Sequence, residues 1–326
     1  MKKETSLAIV VPCYNEEEML PQSLPVLLQT LDDLIAKAKI STDSRLYLVD
    51  DGSRDRTWEL INSACEHYNG RVAGVKLSRN KGHQNALLAG LESTDEDIIV
   101  SIDADLQDDP SNIEKMVDEY HAGNDVVYGV RAARDTDTFF KRFTAEGYYH
   151  LMRRMGVDLV FNHADFRLMS RRALDALLEY RESQLFLRGI VREVGFPSAS
   201  VEYDRQERAA GETKYPLRKM LSFAWHGISS FSTAPLRAIT LLGIIASGLS
   251  LLLIVWVMGT RLFTDNAIPG WTSILVPLLF IGSVQLLSLG IIGEYLAKMF
   301  EELKQRPRYH LEKVKKPTRT SSQEND

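Results

Sequence analysis

Up to about residue 204 the chain alternates short apolar runs with charged, amphipathic stretches; beyond residue 237 it carries two long runs with no charge at all. The short runs predict strands at Leu7–Pro12, Arg45–Asp50, Val72–Leu77, Ile98–Asp103 and Asp125–Gly129. Helical spacing fills the intervals at Glu16–Ala38, Arg56–Tyr68, Gly82–Leu91 and Pro110–Ala122, with Asp109 as an N-cap and Pro110 in the first turn. Pro12 is expected to end the first strand. This alternation predicts an α/β domain whose mostly parallel sheet is covered by helices on both faces. Ligands on such sheets bind beyond the carboxyl ends of the strands, where the strand order reverses.

The uncharged runs Ala238–Met258 and Ile274–Gly293 each approach the ~20 residues that a helix needs to cross a hydrocarbon core. A short polar link, Arg261–Gly270, separates them. They predict a membrane hairpin with spans at about 236–258 and 272–293, in which Pro277, Gln285 and Ser288 face another helix. Lys214, Arg218, Lys219 and Arg237 precede the first span, and Lys298, Lys304, Arg306 and Arg308 follow the second. The bias of basic residues puts both chain ends in the cytoplasm of a cell whose inner or plasma membrane holds the spans. Before the hairpin, Leu217, Met220, Leu221, Ala224, Trp225, Ile228 and Phe231 recur at helical spacing and predict an amphipathic interfacial helix. The expected division is a catalytic part over 1–210, an interfacial region over 211–234, two spans within 235–300 and a basic cytoplasmic tail over 301–326. The polar end of that tail, from Lys313, reads as unstructured. Gly243, Gly248, Gly282 and Gly290 would let helices approach closely, which suits a homo-oligomer.

A formal charge of −5 over 326 residues argues against nucleic acid as a partner. Two cysteines, Cys13 and Cys65, imply no disulfide framework. Leu7–Val11 is too short for the core of a signal peptide. No G-x-G-x-x-G follows the first strand and no G-x-x-x-x-G-K-[ST] occurs, so dinucleotide oxidoreductases and P-loop NTPases are disfavoured.

Chemistry concentrates at the strand ends. The first strand runs into Pro12-Cys13-Tyr14-Asn15-Glu16-Glu17, polar groups that could meet a base or ribose. The second ends in Asp50-Asp51-Gly52-Ser53, where Gly52 permits a tight turn and either aspartate could accept hydrogen bonds from a nucleoside. Ser78-Arg79-Asn80-Lys81-Gly82 follows the third. The fourth ends in Asp103-Ala104-Asp105-Leu106-Gln107. Paired carboxylates at the tip of a buried strand are costly unless a cation compensates them, and a divalent ion holding a diphosphate does so. Each piece alone reads as an ordinary polar turn, but four on one sheet edge point to a nucleotide-sugar site. His83, His163 and His226 read as surface or packing histidines.

Read together, V-P-C-Y-N-E-E, V-D-D-G-S-R-D-R-T, D-A-D-L-Q-D-D-P, A-D-F-R-L-M-S-R and R-A-A-G-E-T-K-Y resemble family 2 glycosyltransferases. Ala164–Arg171 and Arg208–Tyr215 narrow the resemblance to the polyprenyl-phosphate branch, which includes bactoprenol glucosyltransferases and dolichyl-phosphate mannose synthase. It extends through F-S-T-A-P-L-R, both apolar runs, G-E-Y and R-P-R-Y. What it implies is a GT-A fold taking a UDP-sugar, with Pro12, Tyr14, Asn15, Glu16, Asp51, Lys81, Asp103, Ala104, Asp105 and Gln107 around the donor. Asp103, Asp105 and Gln107 would hold Mg²⁺ or Mn²⁺. Arg131 and Arg142, with Arg205, Arg208 and Lys214, would face the diphosphate and the phosphate of a polyprenyl acceptor in the cytoplasmic leaflet. Asp165 would orient the sugar or the nucleophile, its structural alternative being an ion pair with Arg167. Asp108-Asp109-Pro110 departs from many relatives of the branch by carrying an extra acid. Glucose leads as the sugar, followed by N-acetylglucosamine and an aminoarabinose. A processive polysaccharide synthase is disfavoured because no Arg-Trp acceptor pair occurs, and a non-catalytic scaffold because the D-x-D element is complete.

Overall fold

The computed structural model describes residues 4–68, 70–131, 163–182, 187–203 and 271–316, with isolated helical positions between 236 and 256. The chain divides into two compact units, one of Met1–Tyr149, Asp158–Lys214 and Pro307–Asp326, the other of His150–Val157 and Tyr215–Arg306.

The first unit is built on β1 (Leu7–Cys13), β2 (Arg45–Asp50), β3 (Val72–Leu77), β4 (Ile98–Ser101), β5 (Val126–Arg131), β6 (His163–Ser170), β7 (Ser198–Tyr203) and β8 (Leu311–Lys315). Their order is β7-β5-β6-β4-β1-β2-β3-β8. β4, β1, β2 and β3 run parallel, which requires crossover helices. These are α1 (Leu20–Ala36), α2 (Thr57–His67) and α3 (His83–Glu92); α4 (Ile113–His121) follows β4. β1 is buried along its whole length, as a strand covered on both faces must be. Strand order reverses between β1 and β4.

Four differences from the expected elements have physical causes. Pro12 lies inside β1, in register with Val49, rather than ending it. Asp51 N–H donates to the Cys13 carbonyl while Ile102 N–H donates to that of Val10, so successive β1 residues bond to opposite neighbours. The missing N–H of Pro12 therefore faces the β4 side, where strand pairing has already ended at Ser101. Pro110–Asn112 forms a 3₁₀ turn before α4, with Asp109 capping it through Ser111 N–H as expected. β6 enters antiparallel between β4 and β5 and is followed by α5 (Arg171–Leu178) and α6 (Leu187–Glu193). Finally, Lys313–Lys315 are not a free tail. They belong to β8, an antiparallel edge strand on β3 held by Lys76–Glu312 (3.1 Å) and Lys315–Glu66 (2.9 Å).

The second unit contains α7 (Trp271–Leu303). Its 33 residues span about 50 Å at ~1.5 Å each, more than a hydrocarbon core requires. Ile274, Leu278, Leu287 and Leu289 lie exposed along it. Among the described residues, Phe280–Leu303 is the one helix long and apolar enough to cross a membrane. The first expected span lies outside the described residues apart from isolated helical positions, so the hairpin is not seen as such.

Asp125, at the start of β5, ties that strand to α5. Ser170 Oγ caps Ala173 N–H and donates to Asp125 Oδ1 at 2.7 Å, and Arg172 Nε reaches the same oxygen at 2.6 Å. Arg172, with Ser170, holds the Asp125 carboxyl below its ordinary value, against a smaller opposing effect of burial. The unfolded chain therefore binds this proton more tightly, and stability from the pair is present above about pH 4 and lost as pH falls through the lowered native value. Asp125→Asn is expected to cost about 1–2 kcal/mol at pH 7. In melts from pH 7 to pH 3 the gap to the unmodified chain closes at the acid end.

Candidate active site

The carboxyl ends of β1, β2 and β4 meet at the reversal of strand order, and their loops are stitched together by side chain to backbone hydrogen bonds. Asn15, at φ 55°, donates its N–H to Ser53 Oγ and accepts from Arg54 N–H through Oδ1, both at 3.0 Å. Glu16 N–H donates to Thr57 Oγ1 at 2.8 Å. Asn15 and Glu16 thereby line an open cleft of about 530 Å³ with Arg54 and Asp55. Tyr14 is exposed beside them, and Pro12 is buried in the strand beneath.

Asp51 spends both carboxylate oxygens on the loop after β3: Oδ1 accepts from Lys81 N–H at 2.7 Å and Oδ2 from Gly82 N–H at 2.8 Å. Burial raises its carboxyl, and those two N–H groups oppose the rise. Asp50 is fully buried; its Oδ1 accepts from Ser53 N–H at 3.0 Å, while Oδ2 meets no hydrogen-bond partner among the described residues. Gly52, at φ 65°, lets the β2 loop touch the backbone of Arg79 and Asn80.

After β4, Ala104 and Gln107 are buried, Leu106 adopts φ 52°, and Gln107 N–H donates to Asp105 Oδ1 at 3.2 Å. This turn leaves Asp103 and Asp105 partly exposed. The β4–β6 register pairs Ser101 with Arg167, so two residues further along Asp165 comes opposite Asp103. His83 stands between them, its Nε2 3.5 Å from Asp103 Oδ1 and 3.5 Å from Asp165 Oδ2. Arg167 Nη2 approaches the other Asp165 oxygen at 3.6 Å, so the ion pair read as an alternative role for Asp165 exists alongside its place in the cluster. Asp108 is buried and accepts from Tyr203 Oη at 2.6 Å, and its charge adds to that around Asp103.

Among the described residues of this site, burial and the neighbouring acids push the carboxyls of Asp103 and Glu16 up. Enclosure by protein raises the Asp103 carboxyl, Asp165, Asp108 and Asp105 push it the same way, and His83 opposes them. Glu16 is raised by burial first, then by Asp105, Asp55 and Asp103. Among the described residues no group of three or more His, Cys, Asp or Glu side chains is placed to hold a metal ion by itself. Hard oxygen donors in excess negative charge, with coordination left to be completed, fit a divalent ion that also takes phosphate oxygens.

The structure thus sets Asp103 and Asp165 about His83, with Asp105 in the same turn as Asp103 and Glu16 within the field of both turn acids, and it joins Asp51 after β2 to the backbone of Lys81 after β3. Arg131 ends β5, with its side chain outside the described residues, as are Arg142, Arg205, Arg208 and Lys214 entirely. The residue missed in the sequence is His83. Its position directly after the strand-end segment Ser78–Gly82, on the sheet edge that carries the other strand-end groups, was the available signal.

Residues 8–178 match Glycosyl transferase family 2. YkoT of Bacillus subtilis, an uncharacterized glycosyltransferase, is 52% identical over 94% of this chain and 91% of its own length. A prophage bactoprenol glucosyl transferase homolog of Escherichia coli K12 is 36% identical over 95% of this chain and 99% of its own. The SfII prophage-derived bactoprenol glucosyl transferase of Shigella flexneri is 36% identical over 94% and 97%. Among solved structures, glucosyl-3-phosphoglycerate synthase of Mycobacterium tuberculosis aligns over 69% of this chain and 76% of its own, at 18% identity and a TM-score of 0.47. The matched segment runs from β1 to the end of α5 and takes in the whole acidic cluster: the chain belongs to glycosyl transferase family 2.

Proposed function

We propose that the chain transfers a monosaccharide, glucose in first place, from a UDP-sugar to polyprenyl phosphate at the cytoplasmic face of a membrane. The observation that carries this reading is the placement of Asp103 beside Asp165 and Asp105 at the reversal of strand order, with Glu16 in their field, oxygen donors that would suit a divalent cation and a diphosphate. Near full-length similarity to bactoprenol glucosyl transferases supports a polyprenyl acceptor. The exposed apolar surface of α7, together with the uncharged run before it, supports membrane attachment through two spans with both chain ends cytoplasmic.

Asp103, Asp105 and Gln107 would hold Mg²⁺ or Mn²⁺, which when bound neutralises charge on the leaving diphosphate. The acceptor phosphate is already anionic, so no strong general base is required. One of its oxygens bonds to the anomeric carbon as the bond from that carbon to the diphosphate breaks, and UDP leaves with the electron pair. Asp165 orients the sugar or the incoming phosphate. Arg131, Arg142, Arg205, Arg208 and Lys214 screen the repulsion between the two anions, arginine through paired donors. A single displacement inverts an α-linked donor to a β-linked lipid product. The test is a panel of labelled UDP-sugars offered to membranes containing the chain, with label counted in the organic extract and the product anomer assigned by NMR. Label from one sugar in a β-linked phosphodiester is expected; no label from any, or an α-linked product, would contradict the proposal.

A further inference from the structure

We infer that His83 is a positioning residue for this transfer, sharing one N–H between Asp103 and Asp165 and passing it to Asp165 when the donor is bound. The inference deepens the proposed function and rests on it. His83 opens α3, and its place in the backbone is fixed from two sides. Asp51 holds the N–H groups of Lys81 and Gly82 immediately before it, and Asn85 Nδ2 donates back to the Lys81 carbonyl at 2.8 Å. Further along α3, Gly90 lies so close to Val10 and Val49 that an added Cβ would collide with both side chains, so the helix cannot slide over β1 and β2.

The imidazole is thereby presented to two carboxylates at once. Nε2 lies 3.5 Å from an oxygen of each, at the outer limit of a hydrogen bond to either. A bare lone pair at Nε2 would repel both acids, so this nitrogen carries the proton. One N–H cannot serve two acceptors well. In the arrangement seen here it damps the repulsion between Asp103 and Asp165. Asp165 is already approached through its other oxygen by the fully buried Arg167 guanidinium at 3.6 Å. With Asp103 engaged by a bound donor, His83 would turn its N–H to Asp165. Asp165 is then gripped at both oxygens and set at one angle toward the reacting centre. Donor loading is linked in this way to the orientation of the group that meets the sugar or the acceptor.

The test compares the full chain with His83→Ala, His83→Gln, Asp165→Asn and the Asp165→Asn/His83→Ala double variant. Transfer kinetics are measured alongside calorimetric binding of UDP with Mn²⁺. Glutamine keeps an N–H donor at similar reach. His83→Ala is expected to lower kcat about 10–100-fold, the usual effect of losing a supporting partner, while the Kd for UDP with Mn²⁺ stays within about threefold. His83→Gln recovers most of the lost rate, and the double variant is no slower than Asp165→Asn because His83 acts through Asp165. An unchanged kcat in His83→Ala would overturn the inference. So would a loss of UDP–Mn²⁺ affinity equal to the loss in rate, a folded glutamine variant as slow as alanine, or additive losses in the double variant. Should His83→Ala not fold, the glutamine variant and its double with Asp165→Asn decide the matter by the same criteria. An unmodified chain with no transfer would sink the proposed function itself; an active one with an indifferent His83 sinks this inference alone.

Discussion

Asp103→Asn is expected to raise the melting temperature of the cation-free protein at pH 7 while lowering transfer about 10²–10³-fold, the scale set by removing one electrostatic partner from a reacting centre. The two effects have one cause. Protein enclosure and the neighbouring acids raise the Asp103 carboxyl above its ordinary value, so the native state binds that proton more tightly than the unfolded chain does. Stability from this group is therefore greatest where the acid is protonated, and declines as pH rises from about 4 through the raised native value. Near neutrality the native state bears the cost of the charge. Asparagine removes that cost and, with it, a carboxylate proposed to hold the cation. Melts in EDTA at pH 7 and below pH 4 check the sign: the gain of the variant is present at pH 7 and gone in acid. A variant less stable at pH 7 would mean that the Asp103 carboxylate holds the fold together instead.

Gly52→Ala is expected to damage the first unit severely. At φ 65° an alanine is strained, and its Cβ would lie 2.5 Å from Arg79 C, 2.6 Å from Asn80 N and 2.8 Å from Arg79 Cα. These are backbone atoms, so no side-chain rotation relieves the overlap. The loops after β2 and β3 would have to part, against the two hydrogen bonds by which Asp51 joins them. Backbone strain and overpacking together cost about 2–5 kcal/mol. Denaturant unfolding gives the loss directly, and calorimetry is expected to show UDP binding weakened with it. Ser53→Ala, which deletes only the acceptor for Asn15 N–H, is the mild comparison at about 1 kcal/mol. Equal midpoints for Gly52→Ala and the unmodified chain would show that the two loops are not in tight contact.

The parallel heart of the sheet was readable because β1 to β4 are apolar runs buried on both faces, and such runs stand out against amphipathic helices. Their ends carry the polar groups, so the sequence alone places Asp51, Asp103 and Asp105 at one edge. The strands that escaped do not advertise themselves. β6 has the fully buried Arg167 in its centre, and its ion pair with Asp165 depends on two side chains of one strand facing a partner strand far away in sequence. β8 is short and charged, as an exposed edge strand must be to resist pairing with other chains, and charge is what made it look like a tail. Pro12 misled because a proline inside a strand is permitted only where the neighbouring ladder has ended, a fact of register. His83 was legible as a residue at a strand end but not as the group between two acids, since that depends on how β6 pairs with β4. The first uncharged run, isolated helical positions apart, and Arg142, Arg205, Arg208 and Lys214 lie outside the described residues.

The measurement that tests the central claim most directly is UDP release from a UDP-sugar by the purified full-length chain, with and without undecaprenyl phosphate, in Mg²⁺ or Mn²⁺. The account predicts release that depends on the lipid phosphate, is matched mole for mole by sugar entering the lipid, and is lost in Asp105→Asn. Release at the same rate without lipid, or UDP binding with no release under any condition, would contradict it.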